Sequence, residues 1–302
     1  MRATLPRILA IVIMVVPALA AFGKSELPSG LTARASLSPS EEQAVADWAE
    51  SLWTRVDAQT PSAARDAWRR LVEPLLSPET SASFRVAMDQ ALSDEFRQAM
   101  DGDDVFRGVN AALLMGWLAT DRSMRVLTES ARGGPVALRF AATSGLGKAF
   151  RAASFAPVAF QAQVGHEAVD TLAEALGEAN DQSLLDAAAK ALIYAMDVPE
   201  PAIAGFSARA GQRLTQAVGE RLNTLPIDDR LDDRLKPLIR AMAEVRTAIT
   251  QRRGDVDAGW RSDVMQMYGR AGALGFRFVR AERAGRISDA DAEGLRQSVG
   301  TT

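Results

Sequence analysis

The sequence predicts an all-α fold of antiparallel helix pairs stacked into a helical array. Three observations predict it. Apolar residues recur with a 3.6-residue period through most of the chain. Ser-Pro and Thr-Pro pairs stand where helices should start. No window shows sustained two-residue alternation with β-branched residues, so no sheet is expected.

The first element is a signal peptide, residues 1–20. Arg2 and Arg7 give a basic start, Ile8 to Ala21 is an uncharged apolar run, and Ala18-Leu19-Ala20 is the small-x-small pattern cut by a signal peptidase. Ala18, Ala20 and Ala21 are therefore the recognition residues, with cleavage after Ala20. The run is short for a span, which needs roughly 20 apolar residues, and Pro17 interrupts it. The expected location is the periplasm or the medium, with a membrane tether only if this segment stays uncleaved. Residues 21–37, with Pro28, Ser29, Gly30 and Ser36, read as a flexible leader.

Residues 38–103 read as an N-terminal helical bundle. Ser38-Pro39-Ser40-Glu41 offers an N-cap, a proline at the first helical position and a glutamate to close a capping box. Val45, Trp48, Ala49, Leu52, Trp53 and Val56 follow as an inward stripe. Thr60-Pro61 repeats the signal before Ala64, Ala67, Trp68, Leu71, Val72 and Leu75. Ser77-Pro78 is expected to open a third helix carrying Phe84, Met88, Ala91 and Leu92. Short connections then force antiparallel packing.

From residue 104 to 225 the chain repeats itself loosely. Residues 110–116, 141–147 and 186–192 align, with Ala111, Ala142 and Ala188 in one column and Met115, Leu146 and Leu192 in another. Each such first helix is followed by a turn and an amphipathic second helix, as at Ser123 to Ala131, with Met124, Leu127 and Ala131 inward, and at Glu167 to Leu176. Val169, Leu172, Ala173 and Leu176 face inward in the other. Small residues on the first helix let a partner helix approach closely, and stacked pairs bury a core that one pair could not. This stretch resembles HEAT-like α-solenoid repeats. Gly133-Gly134-Pro135-Val136 and Arg139 approach the family's inter-helix pattern, while the first of the two spacings, 31 and then 46, is shorter than the roughly 40 to 47 residues of standard units. The repeat is stretched at Ser154 to Gly165 and again at Val198 to Phe206. The resemblance implies a curved, partner-binding surface and no catalytic residue. Arg125, Glu129 and Arg132, on a second helix, are the candidate groove residues.

Residues 226–302 read as C-terminal helices. Arg230 to Arg252 carries Leu231, Leu235, Leu238, Ile239, Met242, Val245 and Ile249 inward, with a kink expected at Pro237. Gly269, Gly272 and Gly275 form a flat strip, expected to mark a tight helix crossing.

Composition excludes several chemistries. The chain has no Cys, so it offers no disulfide, thiol nucleophile or Cys metal site. Its one histidine, His166, leaves no two-His metal site and is read as a surface residue near a helix start. A formal charge of −3, or −5 without Arg2 and Arg7, argues against nucleic acid. The 31 Arg against four Lys are scattered, not clustered. Gly145-Leu146-Gly147-Lys148 lacks the earlier glycine and the following hydroxyl of a phosphate loop. Asp289, Asp291 and Glu293 mimic half a calcium loop but read as a capped helix start. The acidic clusters at 101–104 and 228–233 sit where helices begin, so capping is their expected work. No cofactor is expected. The function that follows is an exported, non-catalytic scaffold for a protein or peptide partner. The alternatives are a carboxylate-based hydrolase of a cell-envelope polymer, or a tethered structural component of the envelope.

Overall fold

The computed structural model describes residues 26–56, 61–199, 202–228, 231–251, 256–285 and 293. The signal segment, with Ala18, Ala20 and Ala21, lies outside the described residues, as do Thr60, Asp289 and Asp291. The described residues form an all-α fold of eleven helices with one isolated bridge, Thr120 to Ala159. None of these helices is long and apolar enough to cross a membrane.

Helix α1 (Pro39–Val56) starts as its sequence demands. The Glu41 carboxylate accepts from the Ser38 backbone N–H at 2.8 Å and from the Ser38 hydroxyl at 3.0 Å. That is the half of a capping box in which the acidic side chain reaches back. All six residues of the expected stripe are buried. Helix α2 (Pro61–Val72) gives way to a 3-10 turn, Glu73–Leu76, because Pro74 cannot donate to a continuing α-helix. Helix α3 (Ala82–Asp101) begins later than expected. Its cap is Ser81, whose hydroxyl accepts from the Phe84 N–H, and Ser77-Pro78 belongs to the preceding turn. Trp53 meets Phe96 edge-on at 5.3 Å, closing α1 onto α3. The later part of the expected leader is packed here: Leu31 is buried and the Thr32 carbonyl accepts from the Ser81 N–H at 2.8 Å.

Three stacked pairs follow: α4 (Val105–Leu118) with α5 (Asp121–Arg132), α6 (Val136–Phe155) with α7 (Ala162–Glu178), and α8 (Gln182–Met196) with α9 (Phe206–Thr224). First helices touch first helices, α4 to α6 to α8, and second helices touch second helices, α5 to α7 to α9. Both aligned columns, Ala111–Ala142–Ala188 and Met115–Leu146–Leu192, are buried. The small residues serve the stacking of successive first helices. A Cβ on Gly116 would stand 2.3 Å from the Gly145 carbonyl oxygen, and one on Gly145 would stand 2.6 Å from that of Ala112.

Helix α10 (Leu231–Gln251) packs on α8 and α9 and continues through Pro237. Helix α11 (Ala258–Arg283) packs on α9. Among the described residues nothing crosses α11 at the expected glycine strip. Gly269, Gly272 and Gly275 are exposed, with no atom of the described residues within 4 Å of where their Cβ atoms would be. The close contact on α11 is made instead by Trp260, whose ring lies against Gly211 and whose indole N–H donates to the Thr215 hydroxyl at 2.9 Å.

Candidate functional site

Helix α3 runs with charge on its inward side. Arg85 and Asp89 follow Phe84 and Met88 in sequence and are buried with them. Thr120 caps α5 and Ser123 stands in its first turn. Both hydroxyls donate to Asp89, Thr120 to Oδ2 and Ser123 to Oδ1, each at 2.6 Å. The carboxylate thus sits at the positive end of α5. Burial nonetheless raises its pKa, against the lowering effect of the two hydroxyls and the Arg122 charge.

Beyond this junction α3 and α5 border a cleft of about 660 Å³, within the range of ligand pockets. Phe96, Met100, Met115 and Leu138 supply its apolar lining; Arg97, Asp101, Arg122 and Glu129 supply charge. Gly133-Gly134-Pro135 also lines it, with Gly134 at φ +93°, a conformation that suits glycine. An apolar floor with charges of both signs around it can take a hydrophobic side chain while pairing with the flanking backbone or ends.

The candidate groove residues lie on the exposed side of α5. Glu129 borders the cleft, Arg125 reaches to within 3.9 Å of Glu167 on α7, and Arg132 ends the helix. Sequence reasoning missed Arg85, Asp89, Phe96 and Met100. The available signal was two charges set one turn apart beside an apolar stripe.

The other candidates fall elsewhere. Residues 145–148 lie inside α6. Asp104 caps α4, accepting from the N–H groups of Phe106 and Arg107 at 3.0 and 3.2 Å. Asp232 and Asp233 occupy the first turn of α10. His166, on α7, is half-buried and 5.3 Å from the Phe206 ring, deeper than a surface residue. Among the described residues no group of three or more His, Asp or Glu is set to hold a metal ion.

No family model and no curated protein matches the chain. Among solved structures, one crystal structure of an engineered protein is similar at 16% identity and a TM-score of 0.36, covering 75% of this chain and 97% of that one. A second engineered protein is similar at 16% identity and 0.34, covering 74% and 98%. Likeness at that level carries no argument.

Proposed function

We propose that the chain is an exported, non-catalytic helical-repeat protein, HEAT-like in plan, that binds a protein or peptide partner. The observation that carries this reading is the α3–α5 cleft, apolar beneath and charged at its border. The stacked helix pairs support it, because such an array presents side chains from successive helices on one continuous surface. Export rests on the N-terminal residues, Arg2 to Ala21.

The test is a photo-crosslinking residue at Glu129, in the exporting cell, compared with one at Glu178 at the end of α7. A discrete crosslinked species from position 129 and not from 178 is expected. Equal or absent crosslinking at both sites overturns the cleft as the contact. N-terminal sequencing of the exported protein should start at Ala21; an intact leader favours the tethered structural component instead.

The hydrolase alternative has one observation in its favour. Asp89, whose proton affinity is raised by burial, shares the cleft with Asp101 and Glu129. Against it, both Asp89 oxygens are already held by hydroxyls of α5. Release of sugar or peptide fragments from purified envelope polymer, abolished by Glu129→Gln, would restore this reading.

A further inference from the structure

A second surface lies on the first helices, away from the cleft. On α6, Lys148 and Arg151 are one turn apart and reach in opposite directions. The Lys148 ammonium sits 5.1 Å from the Trp117 ring centre on α4, and the Arg151 guanidinium sits 5.7 Å from that of Tyr194 on α8. The four side chains thus form a row across three helices: ring, cation, cation, ring.

Neither cation has a carboxylate within salt-bridge distance among the described residues. Other bases close ion pairs, such as Arg107 with Glu95 at 2.9 Å. The next cation on this side, Lys190 on α8, shares its carboxylate, Asp186, with Arg240. One negative charge therefore serves two positive ones there. Burial, with the Arg151 charge beside it, holds Lys148 below its usual ammonium range. Two neighbouring cations thus lie between two aromatic rings on this surface.

We propose that the Trp117–Lys148–Arg151–Tyr194 row docks an acidic peptide segment, its carboxylates on the two cations and its apolar side chains against the two rings. Charge complementarity selects this occupant. Both cations keep open hydrogen-bonding capacity beyond their rings, since a cation–π contact spends no donor on an acceptor. The guanidinium can take a carboxylate through two parallel N–H bonds. The surface stands apart from the α3–α5 cleft, so the two readings succeed or fail separately.

The experiment titrates the full exported chain into a fluorescent peptide of repeated glutamate-glycine-glutamate-phenylalanine, and into the same peptide with glutamine for every glutamate. The glutamate peptide should bind at least about tenfold tighter, and more weakly as salt rises. The Lys148→Gln/Arg151→Gln double variant, with its melting temperature checked, should lose that preference, while Arg65→Gln on the exposed side of α2 should keep it. Equal binding of both peptides, an unchanged preference in a folded double variant, or tighter binding of a single-stranded oligonucleotide overturns the proposal.

Discussion

Arg85 and Asp89, one turn apart on α3, hold the two sides of the same turn, the one joining α4 to α5. Arg85 donates to the Trp117 carbonyl in the last turn of α4 and, at 3.0 Å, to the Leu75 carbonyl of the 3-10 turn. Asp89 receives the cap hydroxyls of α5. Each charge thus meets the helix end of opposite polarity. Between them Ala119 sits at φ +52°, a left-handed conformation that alanine tolerates poorly. On the far side, Asp121 accepts from the Gln161 N–H at 2.7 Å, tying in the stretched connection from α6 to α7.

Removing either member should destabilise the turn. Asp89→Ala leaves two buried hydroxyls without their acceptor and should cost about 2–3 kcal/mol in urea unfolding. Asp89→Asn should cost less, because an amide still offers an acceptor and the hydroxyls can reverse. Arg85→Ala should cost about 3 kcal/mol or more, through lost packing and two freed carbonyls. The double variant should cost less than the sum, because both residues restrain one turn. Ala119→Gly should stabilise by up to about 1 kcal/mol.

The glycines divide into two kinds, and alanine substitution should reveal them. Gly145→Ala drives a methyl into the Ala112 carbonyl and the Leu127 side chain, and should cost about 1–3 kcal/mol. Gly272→Ala, on the open side of α11, should raise stability by roughly 1 kcal/mol through helix propensity alone. Thermal unfolding of the two variants beside the parent decides it. A destabilising Gly272→Ala would mean that something covers that face.

These glycines also mark where the sequence was readable and where it was not. The α1 stripe is fully legible, because a one-sided surface helix writes its burial directly into a 3.6-residue period. Both repeat columns were legible for the same reason. Spacing cannot say which neighbour a small residue serves, so Gly269, Gly272 and Gly275 looked like a crossing while Gly116 and Gly145 made one. Ser77-Pro78 carried a start signal as good as that of Ser81, but the Pro74 carbonyl accepts from the Ser77 N–H and the Thr80 hydroxyl, which holds residues 77–80 as a turn. Arg85 and Asp89 were opaque, because charged residues normally face water and only the three-dimensional meeting with α4 and α5 explains their burial. Asp89 is also one of the residues that line the cleft.

Trp260 anchors α11. Trp260→Phe keeps the ring against Gly211 but loses the bond to Thr215, and should cost about 1 kcal/mol. Trp260→Ala should cost about 3–5 kcal/mol. Chemical denaturation, with proteolysis to follow release of α11 from α9, measures both.

His166 gives the stability a pH dependence of known sign. Burial first, then the Arg209 charge, hold its imidazole below its usual 6.5, while Asp170 pulls the other way. The folded state therefore binds this proton less readily than the unfolded chain. Its contribution is present above pH 6.5 and is lost as pH falls through the lower folded value. The raised carboxyl of Asp89 acts in the opposite sense: its contribution is present below 3.8 and lost as pH rises through the folded value. The melting temperature should fall between about pH 7 and about pH 6, and His166→Gln should flatten that slope. An unchanged slope in the variant contradicts the assignment.

A chain without cysteine permits one decisive measurement. Ser93 lines the cleft, so a single cysteine placed there by Ser93→Cys can carry a bulky benzyl thiosulfonate label that fills it and is removed by reductant. Crosslinking of the partner from position 129 is then read in the labelled and reduced protein. Loss on labelling with full recovery on reduction is the predicted result; a partner captured equally well with the cleft filled would contradict the account.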